Sequence, residues 1–512
     1  MSEKIVDETE TKSVVVSQTA ESDETAWQAI RAQPKVFAWC VYAIFVTFLN
    51  SFDYNAAGSV ISIPEFRKDF GYLYEGEWTL EADWQSAFSG GALATSIIAS
   101  MLIGSVADRI GRRPSFIGAF AFIFAAITCE FVATSNAVFC VGKLLSGVGL
   151  GICATITMTY VGEIAPFRLR GMLTAACAVA FNVAPLISSV IIKGTGNYTN
   201  RWAYRAVFTA QYGFTGIGFL LVPFIPESPW YYMNLGKTEH ARKTLARLGY
   251  SPADTEKKIS DLAVSIEESR RLADGATYFE CLRKTNLLRT LSAAAPMIFQ
   301  SLCGILFVNG YLTYYAELSG FSTSLSYDIS IIYAVLSILG NFIAIGCIDK
   351  VGRRNLTVYG IMSLTALLFV TGGIACIGSV PAIKATVILF LVYSLIYNAS
   401  LGTTGYAVLT ELPTARLRSK TVSLGFSFQY CLYTMWAFVL PYLFNPNEAN
   451  LKAKVAFIFG AFSLLGCIWT WFFLPEIAGR TYYDIDQMYH LKVSPRAFKS
   501  YEFEPEGQPV SP

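Results

Sequence analysis

Apolar residues run along this chain in long blocks separated by short polar connections, and that alternation sets the first expectation. A helix needs about 20 apolar residues to cross a bilayer. Twelve stretches meet that length, at roughly 36–58, 85–107, 114–134, 137–161, 172–194 and 206–226, then 290–316, 327–349, 357–379, 383–409, 421–443 and 452–474. The predicted fold class is an all-α membrane protein, its twelve transmembrane helices arranged as two pseudo-symmetric six-helix bundles. The expected domains are a disordered cytoplasmic tail over 1–35, bundles over 36–226 and 290–475, a cytoplasmic helical linker over 227–289, and a cytoplasmic tail over 476–512. In the linker, Glu239, Arg242, Lys243 and Arg247 alternate with Ala241, Leu245 and Leu248 at helical spacing, which predicts short amphipathic helices.

The connections alternate in charge. Basic ones hold Arg112-Arg113, Arg168-Leu-Arg170, the 237–289 stretch, Arg353-Arg354 and Arg416-Leu-Arg418-Ser-Lys420; the first loop is acidic, with Glu75, Glu77, Glu81 and Asp83. Cations flanking apolar spans mark the cytoplasmic side, so both termini are expected there.

The basic connections also repeat. Gly104-Ser-Val-Ala-Asp108-Arg109-Ile-Gly111-Arg112-Arg113 returns about 240 residues later as Gly346-Cys-Ile-Asp349-Lys350-Val-Gly352-Arg353-Arg354. Glu163-Ile-Ala-Pro-Phe-Arg-Leu-Arg170 is matched by Glu411-Leu-Pro-Thr-Ala-Arg-Leu-Arg418, and Pro226-Glu227 by Pro475-Glu476. Three motifs in register at one offset imply a duplication, and paired halves in transporters hold substrate between them and alternate in access. The recurring arginines and carboxylates predict a cytoplasmic ion-pair latch built from Asp108, Arg109, Arg112, Arg113, Glu163, Arg170 and Glu227, and from Asp349, Arg353, Arg354, Glu411, Arg418 and Glu476. Arginine suits that task because its planar fork binds carboxylates bidentately.

Composition supports lipid as the solvent. Of 512 residues, 54% are hydrophobic and 15% charged, against about 25% charged in soluble chains. A net charge of +2 gives no electrostatic reason to expect a nucleic-acid partner. The eleven cysteines show no paired spacing, and Cys129, Cys153, Cys177, Cys303 and Cys431 lie in apolar runs, as small core hydrophobes do. The two histidines, His240 and His490, fall in cytoplasmic segments and are poor proton carriers. There is no Walker loop, and no enzyme, metal or cofactor constellation stands out.

Charges inside the spans are rare and mark function by default. Asp53 lies about 25 Å from the inner end of the first span, and Lys143 about 9 Å from the outer end of the fourth, at 1.5 Å per residue. Similar depth makes them the expected proton-coupling pair. Glu130 lies nearer the exterior and is expected to be interfacial. Gln300, Ser301, Asn309, Tyr311, Tyr314 and Tyr315 on the seventh span, Tyr406 on the tenth, and Gln429, Tyr433 and Trp436 on the eleventh offer amides, hydroxyls and aromatic faces, which suit an uncharged polyol. From these, Gln300, Ser301, Asn309, Tyr311, Tyr406 and Trp436 are taken as the substrate path. Asn197-Tyr-Thr199 is a glycosylation sequon in an exterior loop.

The duplicated loop, Glu163 to Gly171, Pro226-Glu-Ser-Pro229, Gln300 to Gly304 and Pro475 to Arg480 together resemble the sugar porter family of the major facilitator superfamily. Glu411 to Thr421, Phe279 to Asn286, Asn445-Pro446 and Gly479 to Asp486 are most similar to fungal α-glucoside (maltose-type) permeases. The resemblance implies a plasma-membrane carrier moving a sugar or glycoside with a proton. Asp53 then matches the first-helix aspartate of proton-coupled porters, and Lys143 stands where their fourth helix usually carries Arg. The chain departs from the family on the seventh helix, where many relatives read Q-Q-x-S-G-x-N and this one reads Gln300-Ser-Leu-Cys-Gly-Ile-Leu306. Thr403 stands where proline is common. The expected partners are a sugar-like solute, a proton and the bilayer, with the chain working as a monomer. The alternatives are a uniporter or exporter of another polyhydroxylated metabolite, and a transporter-like nutrient sensor.

Overall fold

The structure is a computed structural model describing residues 30–501 except 75, 166, 274–277, 319, 415–416, 446–447, 479 and 481. Of the expected tails, residues 1–29 and 502–512 lie outside the described residues.

Helices account for nearly all of it. The first half holds α1 (Pro34–Val60), α2 (Pro64–Phe70), a small antiparallel hairpin β1 (Tyr72–Tyr74) and β2 (Glu77–Thr79), α3 (Ala82–Ile110), α4 (Arg112–Val132), α5 (Asn136–Ile164), α6 (Phe167–Thr195) and α7 (Trp202–Leu221). The linker forms α8 (Pro229–Asn234), α9 (Thr238–Leu248), α10 (Pro252–Ala273) and α11 (Tyr278–Cys281). The second half holds α12 (Lys284–Leu302), α13 (Ile305–Leu318), α14 (Thr323–Val351), α15 (Arg353–Ile377), α16 (Val380–Ala399), α17 (Leu401–Glu411), α18 (Arg418–Phe444) and α19 (Ala456–Phe473), followed by α20 (Tyr482–His490).

Eleven of the described helical stretches are long and apolar enough to cross a membrane. The expected span over 421–443 is the helix α18, whose 27 residues reach about 40 Å. Ser423, Ser427, Gln429, Tyr430, Tyr433 and Thr434 dilute its apolar content. Large apolar side chains such as Ile98, Met101, Leu102 and Leu220 stand exposed on the spans, an arrangement that suits lipid rather than water.

Two expected spans are broken rather than continuous. The seventh divides at Cys303-Gly304, where Gly304 has φ +88° and a Cβ would meet the Phe459 ring at 2.8 Å. The tenth divides at Ser400 (φ −131°, ψ −101°), ending α16 and starting α17. Breaks of this kind near mid-span are tolerated only where protein or a cavity satisfies the freed backbone.

The chain packs as two compact units that cut through helices. The first comprises residues up to Tyr54, Thr95–Ala184 and Arg205–Arg271; the second comprises Asn55–Ala94, Pro185–Tyr204 and Leu272 onward. In the first unit, α4 lies along α5, and the α9 residues Ala241, Leu245 and Leu248 are buried at the predicted helical spacing. Gly249, left-handed at φ +98°, caps α9 at its C-terminus. Arg242 holds Glu256 through Nε (2.6 Å) and Nη2 (3.0 Å), clipping α9 to α10. The second unit centres on Phe307, Phe390, Phe444, Phe459 and Trp436, contributed by α13, α16, α18 and α19. It also gathers the ends of α1, α3 and α6 that lead to the first and third loops.

Candidate functional site

The repeated motif folds the same way twice. In the first unit Gly111 turns the chain from α3 into α4 at φ +104°, and a Cβ there would meet Glu227 Oε2 at 2.5 Å. Only glycine fits both the backbone and the space. The Glu227 carboxylate accepts the Arg112 and Arg113 amides (2.8 and 3.1 Å), satisfying two N–H groups that a helix start leaves open and meeting the positive end of its dipole. Arg112, 5% exposed, donates to Asp108 (2.9 Å) and Glu163 (2.7 Å) and lies over Tyr231. Glu163 and Asp108 offset the cost of burying its charge by Coulomb attraction and hydrogen bonds.

In the second unit Gly352 (φ +93°) precedes α15, and Glu476 accepts the Arg353 and Arg354 amides at 2.9 and 3.1 Å. Arg353 Nε donates to Glu411 at 3.2 Å, and Arg354 donates to the Leu474 and Trp471 carbonyls. Each motif arginine therefore binds the glutamate of its own half. Arg109 stands exposed, with its carbonyl accepting the Tyr231 hydroxyl. Arg113 and Lys237 line a cleft of about 350 Å³ beside Tyr231 and Tyr232. The side chains of Arg170, Asp349 and Arg418 lie outside the described residues.

Asp53 and Lys143, similar in depth by count, meet in the first unit. Asp53, 2% exposed on α1, accepts Lys143 Nζ at 3.3 Å and Gln211 Nε2 at 2.7 Å on Oδ1, while Oδ2 accepts the Ser146 hydroxyl. Lys143 is wholly buried on α5, its ammonium 5.7 Å from the centre of the Phe139 ring. Glu130 corrects the interfacial expectation: it is 0% exposed, and its Oε1 lies 3.0 Å from Lys143 Nζ. Helix periodicity explains the difference, because Glu130 is on the face of α4 that packs on α5, and Gly142 there leaves room for its side chain. Sequence reasoning also passed over Ser146 and Gln211. Ser146 stands one helical turn from Lys143, and Gln211 is an amide in an otherwise apolar span; both were visible signals.

The six residues chosen as the substrate path all lie in the second unit. Gln300 is buried: its Nε2 donates to the Leu401 and Gly402 carbonyls (2.9 and 3.2 Å) and its Oε1 accepts Gln429 Nε2 at 2.7 Å. It therefore braces the break between α16 and α17. Ser301 is buried and donates to the Gln429 carbonyl at 3.4 Å. Asn309 and Tyr311 are half-buried on α13, with Tyr311 against Phe444. Tyr406 is 41% exposed beside Phe426. Trp436, 4% exposed against Phe459, is distinctive: its indole Nε1 has no hydrogen-bond partner among the described residues. A buried donor of that kind is costly unless something binds it.

Another buried ion pair escaped the sequence reading. Arg67 of α2 donates to Glu317 of α13 at 3.1 Å, reaches the Ser62 carbonyl at 3.4 Å and lies over the Tyr314 ring. In the same unit, Lys193 pairs with Asp328 and Tyr442 with Asp83.

Residues 39–489 match the family model described as "Sugar (and other) transporter". The chain belongs to that family, the sugar porters of the major facilitator superfamily. It is a multi-pass membrane protein. Among relatives, the maltose permease MAL61 of Saccharomyces cerevisiae is 28% identical over 490 residues, covering 93% of this chain and 79% of its own. The general alpha-glucoside permease of the same yeast is 27% identical over 95% of this chain and 80% of its own. Among solved structures, the proton:xylose symporter XylE bound to 6-bromo-6-deoxy-D-glucose superposes with a TM-score of 0.70 at 20% identity, covering 90% of this chain and 100% of that one. An inward-open form of XylE from E. coli gives 0.71 at 19%, covering 88% and 99%. These establish the major facilitator fold for this sugar porter. The relatives it matches are permeases and symporters rather than enzymes.

Proposed function

We propose that this sugar porter is a secondary active transporter carrying an α-glucoside-like sugar inward across the plasma membrane with a proton, by alternating access of two six-helix bundles. The observation that carries the reading is the buried carboxylate of Asp53, hydrogen-bonded to Gln211 and Ser146 and ion-paired with Lys143. An ionisable group held in the membrane with an adjustable partner is what a proton-coupled carrier requires. Asp53 is the proton site in this reading and Lys143 modulates it. The motif networks around Arg112 and Arg353 brace the cytoplasmic ends of the halves. Trp436, Asn309 and Tyr311 face the sugar.

Uptake of radiolabelled maltose, sucrose, trehalose, glucose and xylose in a transport-null yeast, with the external pH recorded, tests this. Maltose or a related α-glucoside is expected to enter and alkalinise the medium. Asp53→Asn should abolish uphill accumulation and spare exchange; full proton-coupled uptake in that variant removes Asp53 from its role.

One observation favours a second reading. Gln300, the remaining amide of the altered seventh-helix motif, is bound to Leu401, Gly402 and Gln429. That occupation favours a different polyhydroxylated cargo, moved with or without a proton. Uptake of another polyol with no pH change would select it.

A further inference from the structure

The Asp53–Lys143 pair has a third member, and its charge changes what the site can do. Three elements bring ionisable groups to it: α1 brings Asp53, α4 brings Glu130 and α5 brings Lys143. The other side chains bonded there, Ser146 of α5 and Gln211 of α7, are neutral. Arg205 of α7 lies over the Phe131 ring, 5.2 Å from its centre. One cation therefore faces two carboxylates, and the fully ionised trio carries a net negative charge among side chains that are 3% exposed or less. The chain makes space for this: a Cβ on Gly142 would stand 2.8 Å from Glu130 Cγ.

With Lys143 and Asp53 alone, the ionised site would be neutral and a proton arriving on Asp53 would leave a buried positive charge. With Glu130 present, the same proton neutralises the site. We propose that Glu130 is a positioning residue for proton coupling, which holds Lys143 and leaves the surplus negative charge that lets Asp53 load its proton. This rests on the reading of Asp53 as the proton site. Both carboxylates contact one ammonium, so they lie within about 6 Å of each other. At that separation and an effective dielectric of about 20, removing the Glu130 charge weakens proton binding at Asp53 roughly a hundredfold, or about two pH units.

The test is an infrared titration of the purified full chain in lipid nanodiscs, following the carboxylic-acid carbonyl band that disappears in Asp53→Asn. Glu130→Gln should move the midpoint of that band about two pH units lower. Glu130→Gln combined with Lys143→Gln also removes the cation 3.3 Å from Asp53 and should reverse the shift, carrying the midpoint to about two units above that of the unsubstituted protein. A purely structural role for Glu130 would not be reversed by a second substitution. An unchanged midpoint in Glu130→Gln overturns the proposal while leaving Asp53 in place. A band that survives in Asp53→Asn overturns the Asp53 reading itself, and the proposal with it. Should Glu130→Gln fail to fold, Gly142→Ala displaces the Glu130 side chain at constant charge. A smaller shift in the same direction is then expected, and no shift overturns the proposal.

Discussion

The Arg67–Glu317 pair gives a sharp energetic prediction because both partners are largely withdrawn from water, with side-chain exposures of 15% and 7%. Removing one member of a buried pair typically costs about 3–5 kcal/mol, since the other is left as an uncompensated charge. Arg67 keeps the Ser62 carbonyl and the Tyr314 face and has some access to water, so the cost of Glu317→Gln should fall to about 2–3 kcal/mol. Arg67→Met should cost a similar amount by stranding the carboxylate. The double variant strands neither, and its cost should be well below the sum, with a coupling of about 1.5 kcal/mol or more. The cycle can be measured as thermal unfolding of the four purified proteins in one detergent at one scan rate. The pair joins α2, beside the acidic first loop, to α13, so both single variants should also relax that junction and speed amide exchange in residues 62–70. Additive costs, or single costs under about 0.5 kcal/mol, would refute the picture of a desolvated pair.

The remaining predictions concern the other networks. Gly111→Ala should cost about 2–4 kcal/mol, because the methyl group meets Glu227 while the backbone is held at φ +104°; Gly104→Ala, where a Cβ meets open space, is the control for folded yield. Gln300→Ala should cost about 1–3 kcal/mol by orphaning Gln429 and two carbonyls at the α16–α17 break, read as a fall in the thermal midpoint. Glu256 is held below the usual carboxylate range by its hydrogen bond to Arg242, so the α9–α10 clip contributes stability at neutral pH. That contribution is lost as pH falls through the lowered value, and amide exchange in α9 should accelerate in acid, with Glu256→Gln abolishing the dependence. Asn197 is exposed in the turn after α6, and Asn197→Gln should remove an endoglycosidase-sensitive mobility shift in the protein made by a eukaryotic host.

Long-range periodicity made the fold legible. Membrane spans are set by local composition, which a single sequence displays, and the duplicated turn appears twice because Gly111 and Gly352 each answer the same backbone demand beside a glutamate. The meeting of Asp53 and Lys143 was legible for a related reason: depth along a straight helix follows from counting residues. What counting misses is azimuth. Glu130 sits at a depth that suits an interface, yet it is buried because its direction around α4 points at α5. Gln300 was legible as a buried amide but not in its partners. Its chemistry suits a sugar hydroxyl, but the break at Ser400 creates carbonyl acceptors that no propensity rule places there, and they take the amide first. Arg67 was invisible because its partner lies 250 positions away, on the helix that follows the break at Gly304.

Two of the buried ion pairs, Arg67–Glu317 and the Lys143 cluster, divide the labour of a carrier in a way their surroundings dictate. Arg67 and Glu317 balance one another, so proton uptake there would strand a cation, and the pair is suited to holding a closed junction. Lys143 faces two carboxylates, so the neutral state of its cluster is the protonated one, and gaining or losing a proton changes its net charge by one without leaving an unmatched cation. An ammonium serves this better than a guanidinium, since its charge is compact and its three donors rotate between Asp53 and Glu130. Lys143 is thus matched to the two carboxylates it lies between, and its role and that of Glu130 make physical sense only together.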